Sequence, residues 1–296
     1  MENISDAGNI FDKGCLVQLS IGVWGGAKKI NEAKAQEALG SEWAKARKLL
    51  VDRESLKPIE KVRNEARTFI RSLSLPFPVD GILFVPFSVV SRIDDRLKEL
   101  HRDYLVTVQE FTASYSLLVE SARIVLGDLY DETDYPTDIE RYFKFEWRFI
   151  TLAAPGDNKY LSPDLIAREQ VKFLRTMEKA RQMGVMALRE EFQTMVKRCC
   201  ERLTPGEDGK AKRFKRSLTG NFVEFFESFK DRNIFNDSEL DELVSRARGI
   251  VEGVEFESLR DNEGLKAGIA AAMLSVDSEL EKSIENMPGR KLSFDD

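Results

Sequence analysis

Two long amphipathic stripes constrain this chain more than any other feature. Between residues 88 and 129, Val90, Ile93, Leu97, Leu100, Tyr104, Val108, Phe111, Tyr115, Leu118, Ala122, Val125 and Leu129 recur in steps of three or four. Arg92, Asp95, Lys98, Glu99, Arg102 and Asp103 fill other faces, and no proline interrupts the run. The mean step, roughly 3.5 residues, is that of a coiled-coil seam, and the step from Tyr104 to Val108 adds a local unwinding. A second stripe, Phe173, Met177, Ala180, Gly184, Leu188, Phe192, Met195, Cys199 and Leu203, follows Ser162, Pro163 and Asp164 and stops before Pro205 and Gly206. Ser162 reads as an N-cap, Pro163 as the first helical residue and Asp164 as an acid of the first turn. Each helix would run about 60 Å. With the small residues Ala180 and Gly184 allowing two backbones to approach, the stripes predict an antiparallel coiled-coil hairpin over 88–205.

The remaining segments are shorter. Residues 1–13 and 286–296 are expected to be disordered, the latter being polar with Pro288 and Gly289. Period-two alternation puts Cys15, Val17, Leu19, Ile21 and Val23 on one face of a strand that ends at Gly25 and Gly26. A charged helical stretch is expected over 29–50 and a helix from Pro58 to Leu73, broken by Pro76 and Pro78. Ile82 to Val85 then reads as a short buried strand. After the second long helix, Phe222, Phe225, Phe226 and Phe229 form an aromatic stripe. Asn236 and Glu239 resemble a capping pair before a helix reaching about Gly253, and Leu265, Ile269, Met273, Val276, Leu280 and Ile284 mark a last one. The expected fold is therefore mainly α with a small β element: a mixed α/β region at 15–87, the hairpin at 88–205 with an insert at 130–160, and a helical base at 218–285.

Chemistry-bearing residues are sparse. His101 is the only histidine and sits beside the first seam, where a helix-surface role outweighs a general base. Cys15, Cys199 and Cys200 have neither metal-ligand spacing nor an even disulfide framework, so reduced thiols are expected. Asp128, Asp131, Glu132 and Asp134 cluster after the first long helix without the ordered alternation or glycine of an EF-hand loop, which favours a solvated acidic turn over a cation site. No catalytic residue, cofactor or metal is expected. Apolar runs are far shorter than the roughly 20 residues of a membrane span, and the beginning MENISDAGNI lacks signal-peptide character, so a cytoplasmic protein without membrane contact is expected.

Two segments are candidates for binding. Phe143, Phe145, Trp147 and Phe149 alternate with Lys144, Glu146, Arg148 and Ile150, an amphipathic strand with one aromatic face. The strands at 15–24 and 82–85 could cover that face; on the tip of an extended hairpin it would instead dock another protein. Lys210, Lys212, Arg213, Lys215 and Arg216 surround Phe214 in the connection after the second long helix. They could grip a phosphate backbone while the ring stacks on a base. The net charge of −6 argues against whole-surface attraction to nucleic acid. Gly206, Asp208 and Gly209 also fit a solvated loop at the same place.

The stretches LLVDRESLKPIEKVRNEARTFI, SLPFPVDGILFVPFS and FKFEWRFITLAAP resemble an uncharacterised family of bacterial, plasmid and phage proteins defined by a domain of unknown function. The resemblance covers 15–205 and is most specific in the proline-bounded middle block. Members are often encoded near a MoxR-type AAA+ ATPase and a protein with a von Willebrand factor A domain. This neighbourhood implies an adaptor role with one of those as partner; the family supplies no catalytic residues. The expectation is a non-enzymatic interaction protein that engages a protein partner or its own copies, with a nucleic-acid-binding accessory as the alternative.

Overall fold

Helices form almost wherever apolar positions recur at helical spacing, and the strands are short. The computed structural model describes residues 10–43, 45–154, 156, 161–204, 217–252, 254 and 262–287. In chain order the elements are β1 (Gly14–Gly22), β2 (Ala27–Lys29), α1 (Glu32–Leu39), β3 (Arg47–Leu49), α2 (Arg53–Leu73), β4 (Leu75–Pro76) and β5 (Ile82–Pro86). There follow α3 (Val90–Leu126), β6 (Lys144–Ile150), α4 (Pro163–Leu203), α5 (Ser217–Arg232), α6 (Ser238–Val251) and α7 (Glu263–Glu285). The fold is thus mainly α with a small β element: a four-stranded sheet of order β4-β5-β1-β6 and an antiparallel β2–β3 ribbon. None of the described helices is long and apolar enough to cross a membrane.

The chain forms two compact units, each drawn from separated stretches of sequence. The first takes residues 1–17, 71–90 and 149–296, the second 18–70 and 91–148. In the first, α4 buries Met177, Ala180, Gly184, Leu188, Phe192, Val196, Cys199 and Leu203, nearly the stripe read from the sequence. That stripe packs along α7 and against α5 and β4. Phe192 stacks on Phe225 of α5 at 5.4 Å, and Ile269, Met273, Val276, Leu280 and Ile284 supply the buried face of α7. From Ser91 onward α3 belongs to the other unit. An apolar stripe specifies which face is buried, not what buries it: within its own unit the α4 stripe is covered by α5, α7 and β4. Gly184 also has a different role from the one expected, since a Cβ there would lie 2.8 Å from the Phe235 ring and 3.3 Å from Leu75.

Charges lock α4, α5 and α6 around this core. Arg189 is 7% exposed and donates from Nε and Nη2 to both oxygens of Asp237 at 2.7 and 2.8 Å, and to Glu239 at 2.9 Å. Arg232, 2% exposed, pairs with Glu191 at 2.6 Å and lies over the Phe225 ring at 5.4 Å. Asp237, rather than Asn236, is the N-cap of α6 and accepts from the Leu240 N–H at 3.2 Å. Asn236 takes a positive φ of 54° just before it, and Glu239 turns to Arg189 instead of closing a capping box.

The sequence expectation also fails at the N-terminal side. Ile10 and Phe11, within the stretch expected to be disordered, are buried in the first unit, and Lys13 donates to the Ile234 carbonyl at 2.6 Å. Residues 1–9 and 288–296 lie outside the described residues. Along β1, Leu16 is as buried as Cys15 and Val17, so both faces are covered where one was expected. The stretch 29–50 holds only the short α1 between β2 and β3, because Gly40 at φ 66° ends the helix. The helix expected from Pro58 begins earlier, at Arg53. Burial raises all three thiols, Cys199 to about 12 and Cys200 to about 11.

Two glycine substitutions separate close packing from backbone entropy. A Cβ on Gly14 would sit 2.2 Å from the Val85 carbonyl oxygen and 2.5 Å from the Phe84 ring. Gly14→Ala is expected to lower unfolding stability by roughly 1–3 kcal/mol. Gly268, inside α7 with nothing within 4 Å of an added Cβ, should respond oppositely, Gly268→Ala gaining roughly 0.5–1 kcal/mol. Urea unfolding of both variants against the parent chain measures the two signs.

Candidate functional site

In the second unit the aromatic side of β6 faces α3. Phe145 is 6% exposed and its ring lies 5.4 Å from both Tyr104 and His101. Trp147 stands edge-on to His101 at 5.9 Å, and Phe143 edge-on to Phe111 at 5.6 Å. Trp24, beyond the end of β1, meets Phe111 and Tyr115 at 6.3 and 5.9 Å. Polar tips are held as well. Tyr104 donates its hydroxyl to the Gly22 carbonyl, and burial pushes that hydroxyl up to about 12. Trp147 Nε1 donates to Asp94 at 2.9 Å; with Lys98 at 2.6 Å on the other oxygen, the Asp94 carboxyl is held below its usual value, chiefly by Lys98. Phe145 is therefore a core ring on α3 and Phe143 and Trp147 pack half-buried beside it, so the aromatic face read from the sequence as a candidate for docking lies against this helix. Phe149 belongs to the first unit and is half-buried. His101 is an aromatic spacer at the seam edge.

The turn after α3 holds the strongest electrostatic feature of this unit. The register of the β2–β3 ribbon places Lys28 directly opposite Lys48, an arrangement of like charges that is destabilising by itself. Asp134 resolves it by pairing with Lys28 through one oxygen and with Lys48 at 2.5 Å through the other. The side chains of Lys48 and Asp134 are only 9% and 3% exposed, so this acid is not part of a solvated turn as expected. Burial alone would raise the Asp134 carboxyl, but hydrogen bonds from Lys28 and Lys48 outweigh it and hold the group below its ordinary value. Lys48 also donates to the Leu129 carbonyl at 2.5 Å, Asp131 accepts from the Thr133 N–H at 2.9 Å, and Tyr130 stacks on Tyr135 at 5.2 Å. Gly127, at φ 50°, supplies the left-handed residue that ends α3. The acids here hold a turn; among the described residues no three His, Cys, Asp or Glu side chains converge as metal ligands.

Between these anchors α3 has an apolar side that covers nothing. Its inward face is Ile93, Leu97, Leu100, Tyr104, Phe111 and Ala122. Val106, Ala113, Leu117 and Ile124 follow one another at spacings of seven, four and seven, which sets them in one line on the far side of the helix. Leu117 is 75% exposed, Ile124 83% and Val106 54%; Val125 and Leu105 are exposed too, each about 100° around the helix from this line. Sequence reading counted Val125 as seam and left the other four unassigned, because a single best stripe hides a second one at the same period. The other candidate segment, Lys210, Lys212, Arg213, Phe214, Lys215 and Arg216, lies outside the described residues.

The Asp134 pairing gives this unit a testable acid sensitivity. Because the folded-state carboxyl titrates below its unfolded value of about 4, its stabilisation is present above that pH and is lost as pH falls through the lower folded value. Asp134→Asn leaves Lys48 buried without its counter-ion and is expected to cost roughly 3 kcal/mol at neutral pH. The parent chain should then lose stability below about pH 4 more steeply than Asp134→Asn. Chemical denaturation across that range compares the two slopes.

Neither a curated protein nor a solved structure matches this chain. The sequence pattern of one family, described as a protein of unknown function (DUF3150), matches residues 11–175. That match includes all of the second unit with β6, α3 and the ribbon cluster, together with β4, β5 and the beginning of α4. With more than half of its length inside the match, the chain belongs to the DUF3150 family.

Proposed function

We propose that this protein is a non-enzymatic interaction protein whose partner docks on the outer apolar side of α3. The single observation that carries this reading is the line Val106, Ala113, Leu117 and Ile124, exposed along a helix whose opposite face is fully used by its own unit. A surface helix ordinarily has one apolar stripe and a polar remainder; apolar residues on both sides mark a helix that is covered on both sides in use. Covering Leu117 and Ile124 would stabilise a complex by roughly 1.5–3 kcal/mol for each side chain fully buried. The surface also stands on firm supports. β6 fixes the inward face, and the Lys48–Asp134 pair with Gly127 fixes the end of the helix. An adaptor role beside an AAA+ ATPase or a von Willebrand factor A protein, as the family resemblance implies, is one form of this reading.

Site-specific cross-linking tests it. A photo-reactive amino acid placed at Leu117 or Ile124 in the native host is expected to give one discrete protein adduct, unchanged by nuclease treatment. The same group at Lys57, on the exposed surface of α2, should give none. No adduct from either α3 position, or the same adduct from all three, contradicts the proposal.

A further inference from the structure

Two like-charged pairs lie side by side on the β2–β3 ribbon, and the chain neutralises only one of them. The register sets Lys28 opposite Lys48 and, one step on, Lys29 opposite Arg47. Successive residues of a strand point to opposite faces, so Lys28 and Lys48 reach Asp134 while Lys29 and Arg47 share the other face with Ala27 and Leu49. The Ile30 N–H donates to the Ala46 carbonyl at 3.0 Å, which continues the pairing past the strands and puts Lys45 on the face of Arg47. Lys29, Lys45 and Arg47 are exposed and form no ion pair among the described residues. Residues 27–49 hold six bases against three acids, and those acids, Glu32, Glu37 and Glu42, belong to α1 and the turn after it rather than to either strand. Two residues before Lys45 stands Trp43, 92% exposed, the barest large hydrophobic side chain among the described residues.

Cations facing each other across a ribbon repel, and a bare indole leaves a large apolar area in water. On the inner face one carboxylate bridges both cations; on the outer face the repulsion is left unrelieved. A single strand of nucleic acid answers both features, its phosphates bridging Lys29, Lys45 and Arg47 and a base stacking on Trp43, at most about 14 Å of chain from Arg47. A duplex offers the phosphates but keeps its bases stacked on each other, and a second copy of this chain brings the same cations to the same face. An anionic bilayer meets the whole turn at once, including Glu42 exposed beside Trp43, whereas a strand can track the cations and leave Glu42 in water. We infer that the outer face of the β2–β3 ribbon, together with Trp43, is a binding site for single-stranded nucleic acid, independent of the α3 reading above.

Fluorescence anisotropy on the full chain, with a labelled oligothymidylate of about 12 nucleotides, tests this. Binding is expected to weaken with salt and to be about tenfold tighter than that of a duplex or of polyglutamate. Trp43→Ala should weaken it by at least about fivefold, and Trp43→Phe, which keeps a ring, by much less. Lys29→Ala with Arg47→Ala should flatten the slope of log affinity against log salt by about 1.4, two phosphate contacts at about 0.7 each. The replaced side chains are exposed, so urea unfolding of each variant should match or exceed that of the parent chain. No binding, or binding that keeps its affinity in Trp43→Ala and its salt slope in the double variant, overturns the inference. So does equal affinity for the duplex or for polyglutamate, which leaves Trp43 without a role. Capture of phosphatidylserine vesicles without oligothymidylate binding makes a membrane the occupant and overturns it as well.

Discussion

The packing of β6 on α3 decides how the family-matched part of the molecule is used. Alternation along β6 sends Phe145 and Trp147 to one side and Lys144, Glu146 and Arg148 to the other. Those rings meet Tyr104 and His101, while Phe143, just before the strand, meets Phe111, and this contact sets the rotation of the helix about its axis. Once Tyr104, Phe111 and Ala122 point inward, Val106, Leu117 and Ile124 have no choice but to point outward. Hydrogen bonds reinforce the same choice: Tyr104 to the Gly22 carbonyl and Trp147 to Asp94 tie the helix to its own unit at two levels. The candidate surface is therefore a geometric consequence of an aromatic core.

The first unit is organised on different physics. Its long helix α4 spends its apolar stripe inside the chain, on α5 and α7, and adds buried ion pairs at Arg189 and Arg232. Such pairs stabilise little beyond the cost of desolvating them, but removing one partner is expensive, so they fix which arrangement of α4, α5 and α6 is allowed. Asp237 joins two tasks, accepting from Arg189 and capping α6, which makes the start of that helix depend on the charge of α4. This is a unit built to be one shape. The second unit combines an equally definite core with an unspent apolar face.

Much of this was legible in the residues, for reasons that also explain the failures. The α4 stripe from Met177 to Leu203 and the α7 stripe from Ile269 to Ile284 were visible because helical periodicity reports burial directly. The β6 alternation was visible by the same logic at period two. Partners were not, since periodicity contains no information about what lies opposite; the expected coiled-coil hairpin rests on the assumption that two long stripes face each other. Asp134 looked like one acid among several, because its meaning comes from Lys28 and Lys48, the former 106 residues away in sequence and far beyond any local motif. The outer line on α3 was hidden by its better inner stripe. Asn236 misled by type: it is a good cap residue, but Asp237 occupies the cap and Asn236 the positive-φ position before it.

The central claim is that α3 is inward on one side and free on the other in the isolated protein. Single cysteines at Leu97, Leu117 and Ile124 test it through their rates of reaction with a thiol reagent, the native Cys15, Cys199 and Cys200 being buried. The account predicts that the thiols at 117 and 124 react about as fast folded as unfolded, while the one at 97 is protected until the chain opens. Protection at 117 and 124 comparable to that at 97 would contradict it, because the outer face would then already be covered.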